Sequence, residues 1–182
     1  AIDANGYVWI KDPGRPWADL RLDLCAQPSR SESECPPETL VTGTFTRTAV
    51  DEWGATDTGQ TWTAVGGVAA DYSVSGGTGR HSLPAVNSSR GTVVPSTTAD
   101  VDVMVDWTLP DTPAGDFHYV YAAARFADTT HAYLSRVRVS TAGVMQLSLR
   151  KLNVTETQIG TAVTLPFIFI PGSFYTLRFQ IR

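Results

Sequence analysis

From Val41 to Arg182 the apolar residues come in short runs at period two, broken by Gly, Pro, Asp, Asn and Ser. No segment sustains the 3.6-residue apolar period of an amphipathic helix. The run ADVDVMVDW is the clearest case. It places Val101, Val103, Val105 and Trp107 on one face and Asp100, Asp102, Met104 and Asp106 on the other. YVYAAARF, AYLSRVRV, VMQLSLRKL and FYTLRFQIR follow at sandwich-like spacing. The pattern predicts an all-β fold of two packed antiparallel sheets.

Two of these runs form a predicted hairpin. YVYAAARF and AYLSRVRV join through a four-residue loop, Ala127–Thr130, a common hairpin connection. Pairing Phe126 with His131 sets Tyr121 opposite Arg136 and Tyr119 opposite Arg138. Tyr119, Tyr121, Arg125, Arg136 and Arg138 then share one face, while Val120, Ala122, Ala124, Phe126, Val137 and Val139 form an apolar one. Aromatic rings stack on the apolar side of a pyranose, and guanidinium forks bind hydroxyls, carboxylates or phosphates. The five Tyr and Arg residues are therefore candidate ligand contacts. The competing reading is a solvated sheet face.

Residues 1–40 read differently. GYVWI is a strand candidate, and DLRLDL alternates Leu20, Leu22 and Leu24 against Arg21 and Asp23. Pro13, Gly14 and Pro16 interrupt the stretch between them. A hairpin-like unit over 1–24 is expected, then a Pro-, Ser- and Glu-rich connector over 25–40. Cys25 and Cys35 are the two cysteines and bracket a polar loop without CxxC spacing. A disulfide between them is expected, with two free thiols as the alternative. The pair would favour an oxidising, extracellular setting.

The polar run TFTRTAVDEWGATDTGQTWT holds Trp53 and Trp62 among turn formers. A sugar platform needs a converging polar group beside the ring, and the neighbours here are Gly54, Asp57 and Gly59. Both tryptophans are expected to fill the sandwich core. SGGTGRHS lacks the GK[ST] of a phosphate loop and reads as a turn between strands.

With 182 residues and 42% hydrophobic content, the chain is long enough for a sizeable core. A net charge of −4 argues against nucleic acid as partner. No window approaches the roughly 20 apolar residues of a membrane span. His81, His118 and His131 fit no metal spacing, and no GxSxG occurs. No metal or cofactor is expected.

A glycosidase needs two carboxylates across the scissile bond. Asp100, Asp102 and Asp106 are the best acids for that role, with a charged solvent face as the plainer reading. Glu32, Glu34, Glu38, Glu52 and Glu156 all lie in connector or loop-like sequence. Asn87-Ser88-Ser89 and Asn153-Val154-Thr155 match a glycosylation pattern.

The ordered string TFTRT, WG-A-x-D-x-G-x-x-W-T, DYSVSGGTGRHSL, ADVDV, YLSRVRV, LSLRK and FYTLRFQIR resembles a module in tail proteins of actinobacteriophages, siphophages of Streptomyces or Mycobacterium type. That module looks like a concanavalin A-like, laminin G-like jelly roll, and the resemblance covers about residues 41–182. VWIKDPGRPWADLRLDLC resembles a connector in minor tail proteins. The resemblance implies a virion tail component, extracellular, with a non-catalytic lectin-like module. Its partners would be host cell-wall glycan and other tail proteins, in a trimer or hexamer. A purely structural tail protein and a jelly-roll glycoside hydrolase are the alternatives. The family often carries an acid where this chain has Gly43, which lowers the expectation of calcium. Such modules also run past the strand that FYTLRFQIR represents, so a final strand is expected to be missing.

Overall fold

A computed structural model describes residues 39–96, 98 and 100–182. The N-terminal hairpin, most of the connector and the Cys25–Cys35 pair lie outside the described residues. The described chain is all-β, with several antiparallel sheets and one 3-10 turn at Ala69–Asp71. It forms two compact units, residues 39–96 and residues 98–182, each with its own packing.

The unit over 98–182 has the predicted sandwich character. Strands β7 (Phe117–Asp128), β8 (His131–Ser140), β9 (Val144–Asn153) and β10 (Thr155–Ile168) form one antiparallel sheet in the order β10-β9-β8-β7. Strands β6 (Val101–Trp107) and β11 (Tyr175–Ile181) form a two-stranded ribbon. The ribbon register pairs like with like: Val101 with Ile181, Val103 with Phe179, Val105 with Leu177, Trp107 with Tyr175. Asp102, Met104 and Asp106 fall opposite Gln180, Arg178 and Thr176 on the other face. A one-residue slip would turn the valines to solvent, so burial fixes this register.

Both sheets contribute to one core. It contains Trp107, Ala122, Ala124, Val137, Val139, Met145, Phe169, Leu177 and Phe179. The alanines at 122 and 124 leave room for Trp107 and Phe169, whose rings stack at 5.9 Å. Small opposite large is how facing layers interdigitate at native density. The end of β10 and the loop after it leave Phe167, Ile168, Ile170 and Phe174 exposed.

The predicted hairpin is present, but its loop is shorter than expected. Asp128 pairs with His131, leaving Thr129 and Thr130 as a two-residue loop. The Asp128 carboxylate accepts from the Thr130 amide (2.7 Å), the Thr130 hydroxyl (2.6 Å) and His131 Nδ1 (3.0 Å). Those bonds, the threonine's first, pull its pKa down to about 2. An Asp that bonds its own following backbone is a turn former, and here it closes the loop. The extra residues enter a bulge between Ala124 and Asp128, with Arg125 at φ 47. Phe126 therefore does not pair with His131. Upstream of the bulge Tyr121 still faces Arg136, and Tyr119 faces Arg138, as expected.

The unit over 39–96 is smaller. Strand β3 (Tyr72–Ser75) pairs with β1 (Ala49–Val50) and β4 (Thr78–His81), and β2 (Thr63–Val65) pairs with β5 (Gly91–Val93). Gly76 and Gly77 both have positive φ, so SGGT is the predicted turn, of the type that matches hairpin twist. An aromatic cluster of Phe45, Trp53, Trp62, Tyr72 and His81 takes the place of an aliphatic core. Gly79 lies against it: a Cβ there would come within 2.8 Å of Trp53.

The two tryptophans correct the expectation of a sandwich core. They pack in this cluster, outside the sandwich core, and both are half-buried. Trp53 donates its indole N–H to the Arg80 carbonyl at 3.0 Å. The polar run between them is tied to itself. Asp57 accepts from the Thr44 amide, Thr56 N donates to the Gln60 carbonyl, and Trp62 N donates to the Gly54 carbonyl. The turn formers thus hold the rings edge to face. Gly43, where the resembled modules carry an acid, abuts Trp62 and Phe45.

Candidate functional site

The outer face of the four-stranded sheet brings together four of the five sequence-predicted ligand residues. Alternation puts Phe117, Tyr119 and Tyr121 of β7 beside Arg138 and Arg136 of β8. The next strand adds Gln146, Ser148 and Arg150, and β10 adds Glu156, Gln158 and Thr164. The rings of Phe117, Tyr119 and Tyr121 lie in a row at 6.2 and 6.4 Å. Tyr119 and Tyr121 remain 44% and 41% exposed.

The arginines lean over this row. Arg138 Cζ lies 4.2 Å from the Phe117 ring centroid, and Arg136 Cζ lies 5.0 Å from that of Tyr119. Arg136 Nη1 donates to Glu156 Oε1 at 2.9 Å, and Arg150 Nε donates to the same oxygen at 2.6 Å. Arg150 Nη1 also donates to Gln158 Oε1 at 2.8 Å. Arg138 Nη2 donates to Gln146 Oε1, whose amide donates onward to the Thr164 hydroxyl at 3.1 Å. The Tyr121 hydroxyl meets Glu156 Oε2 at 3.4 Å. Burial, then the Glu156 charge, pushes the Tyr121 hydroxyl up from its ordinary range.

The fifth predicted residue stands apart from this lattice. Arg125 sits on the bulge, and its guanidinium pairs with Asp100 at 3.0 Å. Glu156 corrects the sequence reading in the other direction. It lies in β10, where a loop was expected, and it centres the network.

The carboxylates considered for hydrolysis are engaged. Asp102 takes a two-pronged bond from Arg178 and a further bond from Gln180, and the Arg178 bond leads in holding it below the usual carboxylate range. Asp106 accepts from the Thr176 hydroxyl at 2.6 Å. Among the described residues no three His, Cys, Asp or Glu side chains converge as metal ligands. None of the described helices is long and apolar enough to cross a membrane.

Comparison of the chain with known protein families, curated proteins and solved structures gives no match.

Proposed function

We propose that the chain is a non-catalytic, lectin-like module of a phage tail, with a jelly-roll domain of the concanavalin A-like, laminin G-like kind. Its task is to contact host cell-envelope glycan from the virion. The observation that carries the reading is the row of Phe117, Tyr119 and Tyr121 braced by Arg136 and Arg138 on an open sheet face. Such a face offers the Tyr121 ring, guanidinium edges and amide groups to a hydroxyl-rich polymer, and its openness suits an extended chain more than a small molecule. The non-catalytic part rests on the acids. A general acid needs a raised pKa, and Asp102 is shifted the opposite way by Arg178. A second reading, a purely structural tail protein, is favoured by the pairing of Arg136 and Arg150 with Glu156, since a lattice satisfied from within needs no ligand.

The test uses the full chain, biotinylated and displayed on streptavidin, against purified walls from a panel of actinobacteria. Binding without release of reducing ends is expected. Tyr121→Ala should remove most of it, with the melting temperature shifted little, because that ring is exposed and its hydroxyl contact is long. Unchanged binding by this variant would leave the scaffold reading; released reducing ends would favour the hydrolase.

A further inference from the structure

We infer that the outer sheet face recognises an anionic glycan, with Arg138 supplying the charge that pairs with the ligand. This rests on the glycan-binding reading and goes beyond it by naming the class. Strands β7 to β10 carry Arg125, Arg136, Arg138, Arg150 and Lys151 against Asp128 and Glu156, a net of three positive charges. The chain as a whole is at −4, so these strands carry a positive excess that the rest of the chain does not.

The three arginines of the outer face are not equivalent. Glu156 is shared by Arg136 and Arg150. Arg138 is held by the neutral amide of Gln146 and by the Phe117 ring, and among the described residues it has no carboxylate partner. One carboxylate among three guanidinium groups leaves two positive charges on a half-buried surface, where screening is weaker than in bulk water. Such a surface complements a polymer bearing carboxylate or phosphate groups at intervals. Arg138 offers the planar fork that suits either.

Nucleic acid is the less favoured polyanion. Stacking of successive bases needs several free ring faces, but Arg138 and Arg136 lie over Phe117 and Tyr119, which leaves Tyr121 as the uncovered ring of the row, enough for one sugar but not for a run of bases. Glu156 interrupts the cationic track that a continuous phosphate backbone would follow. Gln146, Gln158 and Thr164 instead present amides and a hydroxyl along the same face, which suit sugar hydroxyls.

The experiment displays the full chain on streptavidin and measures binding to four probes: poly(glycerol phosphate), polygalacturonate, neutral arabinogalactan and an oligo(dT) strand. One or both anionic glycans should bind about tenfold tighter than arabinogalactan, and added salt should weaken them. The phosphate and carboxylate arms show which anion is read. Arg138→Gln should remove the preference without moving the melting temperature, and Arg138→Lys should restore part of it. Equal binding of neutral and anionic glycans overturns this inference and leaves the lectin reading standing. An Arg138→Gln variant that keeps the anionic preference also overturns it. Tightest binding to oligo(dT) assigns the face to nucleic acid. Failure to bind any of the four probes or any actinobacterial wall overturns both this inference and the lectin reading.

Discussion

His81 shows how far a neighbourhood can move one residue. Its ring stacks on Trp53 at 4.5 Å and meets Tyr72 edge-on at 5.4 Å. The residue keeps more than a third of its surface in water, but the ring itself is desolvated, and burial lowers its pKa to about 4. The sign follows directly. Between about pH 6.5 and pH 4 the unfolded chain takes up a proton that the folded chain refuses. The stability of residues 39–96 should therefore fall as the pH drops through that window. His81→Gln should flatten the slope in urea titrations across it, and Trp53→Ala should bring the His81 pKa back toward 6.5 by NMR. A parent slope identical to that of His81→Gln would end this account. Nothing in GRHS marks His81 as different from His131, because its ring partners are distant in sequence, Trp53 in a loop and Tyr72 on β3. The two arginines of SRVRV are alike in sequence in the same way. Arg136 is 16% exposed at its side chain and ion-paired, so its truncation mixes stability with binding, whereas Arg138 reports on charge more cleanly.

At the level of elements, legibility tracked regularity. The ribbon strands alternate, as do residues 136–139 of β8 and 145–150 of β9, and these faces are as the pattern predicts, while Leu134 and Leu152 fall on the polar outer face. β10 escaped because it is an edge strand whose alternation breaks at two bulges, after Ile159 and after Thr164. Missing it also hid Glu156, and with it the centre of the candidate site. The link from β9 to β10 is tight: Asn153 pairs with Thr155, and Val154 stands between them at φ 63. A β-branched residue is strained there, at roughly 1–2 kcal/mol for an L-residue in the left-handed region. Val154 is exposed, and its amide donates to the Thr130 carbonyl, a bond any non-proline residue keeps. Val154→Asn should therefore stabilise the protein by about 0.5–1 kcal/mol, since Asn tolerates that conformation without glycine's entropy cost. Chemical denaturation would show it as a higher midpoint at unchanged slope. A lower midpoint would mean that the valine side chain contributes packing that outweighs the strain.

For the whole molecule, the all-β class and the paired sheets were legible because period two dominates from Val41 onward. The division into two compact units was not, because turn-rich strands and an aromatic cluster look in sequence like more of the same sandwich. An open sheet face cannot surround its ligand as a deep pocket does, so one copy should bind weakly. Display of several copies together, as the proposed tail role would entail, changes the arithmetic. After the first contact the second is intramolecular, and avidity can rise by ~10²–10⁴ without any new contact, provided the copies engage together. The free 182-residue chain should thus bind walls poorly, and a tetravalent streptavidin display of the same chain should bind them well. The gain should shrink as walls are coated more sparsely on the sensor, because distant sites cannot be bridged. Loss should appear in the dissociation rate, with association per site little changed. If the free chain and the tetramer dissociate at the same rate from densely coated walls, the face holds its ligand through a single strong site, and repetition adds nothing to binding.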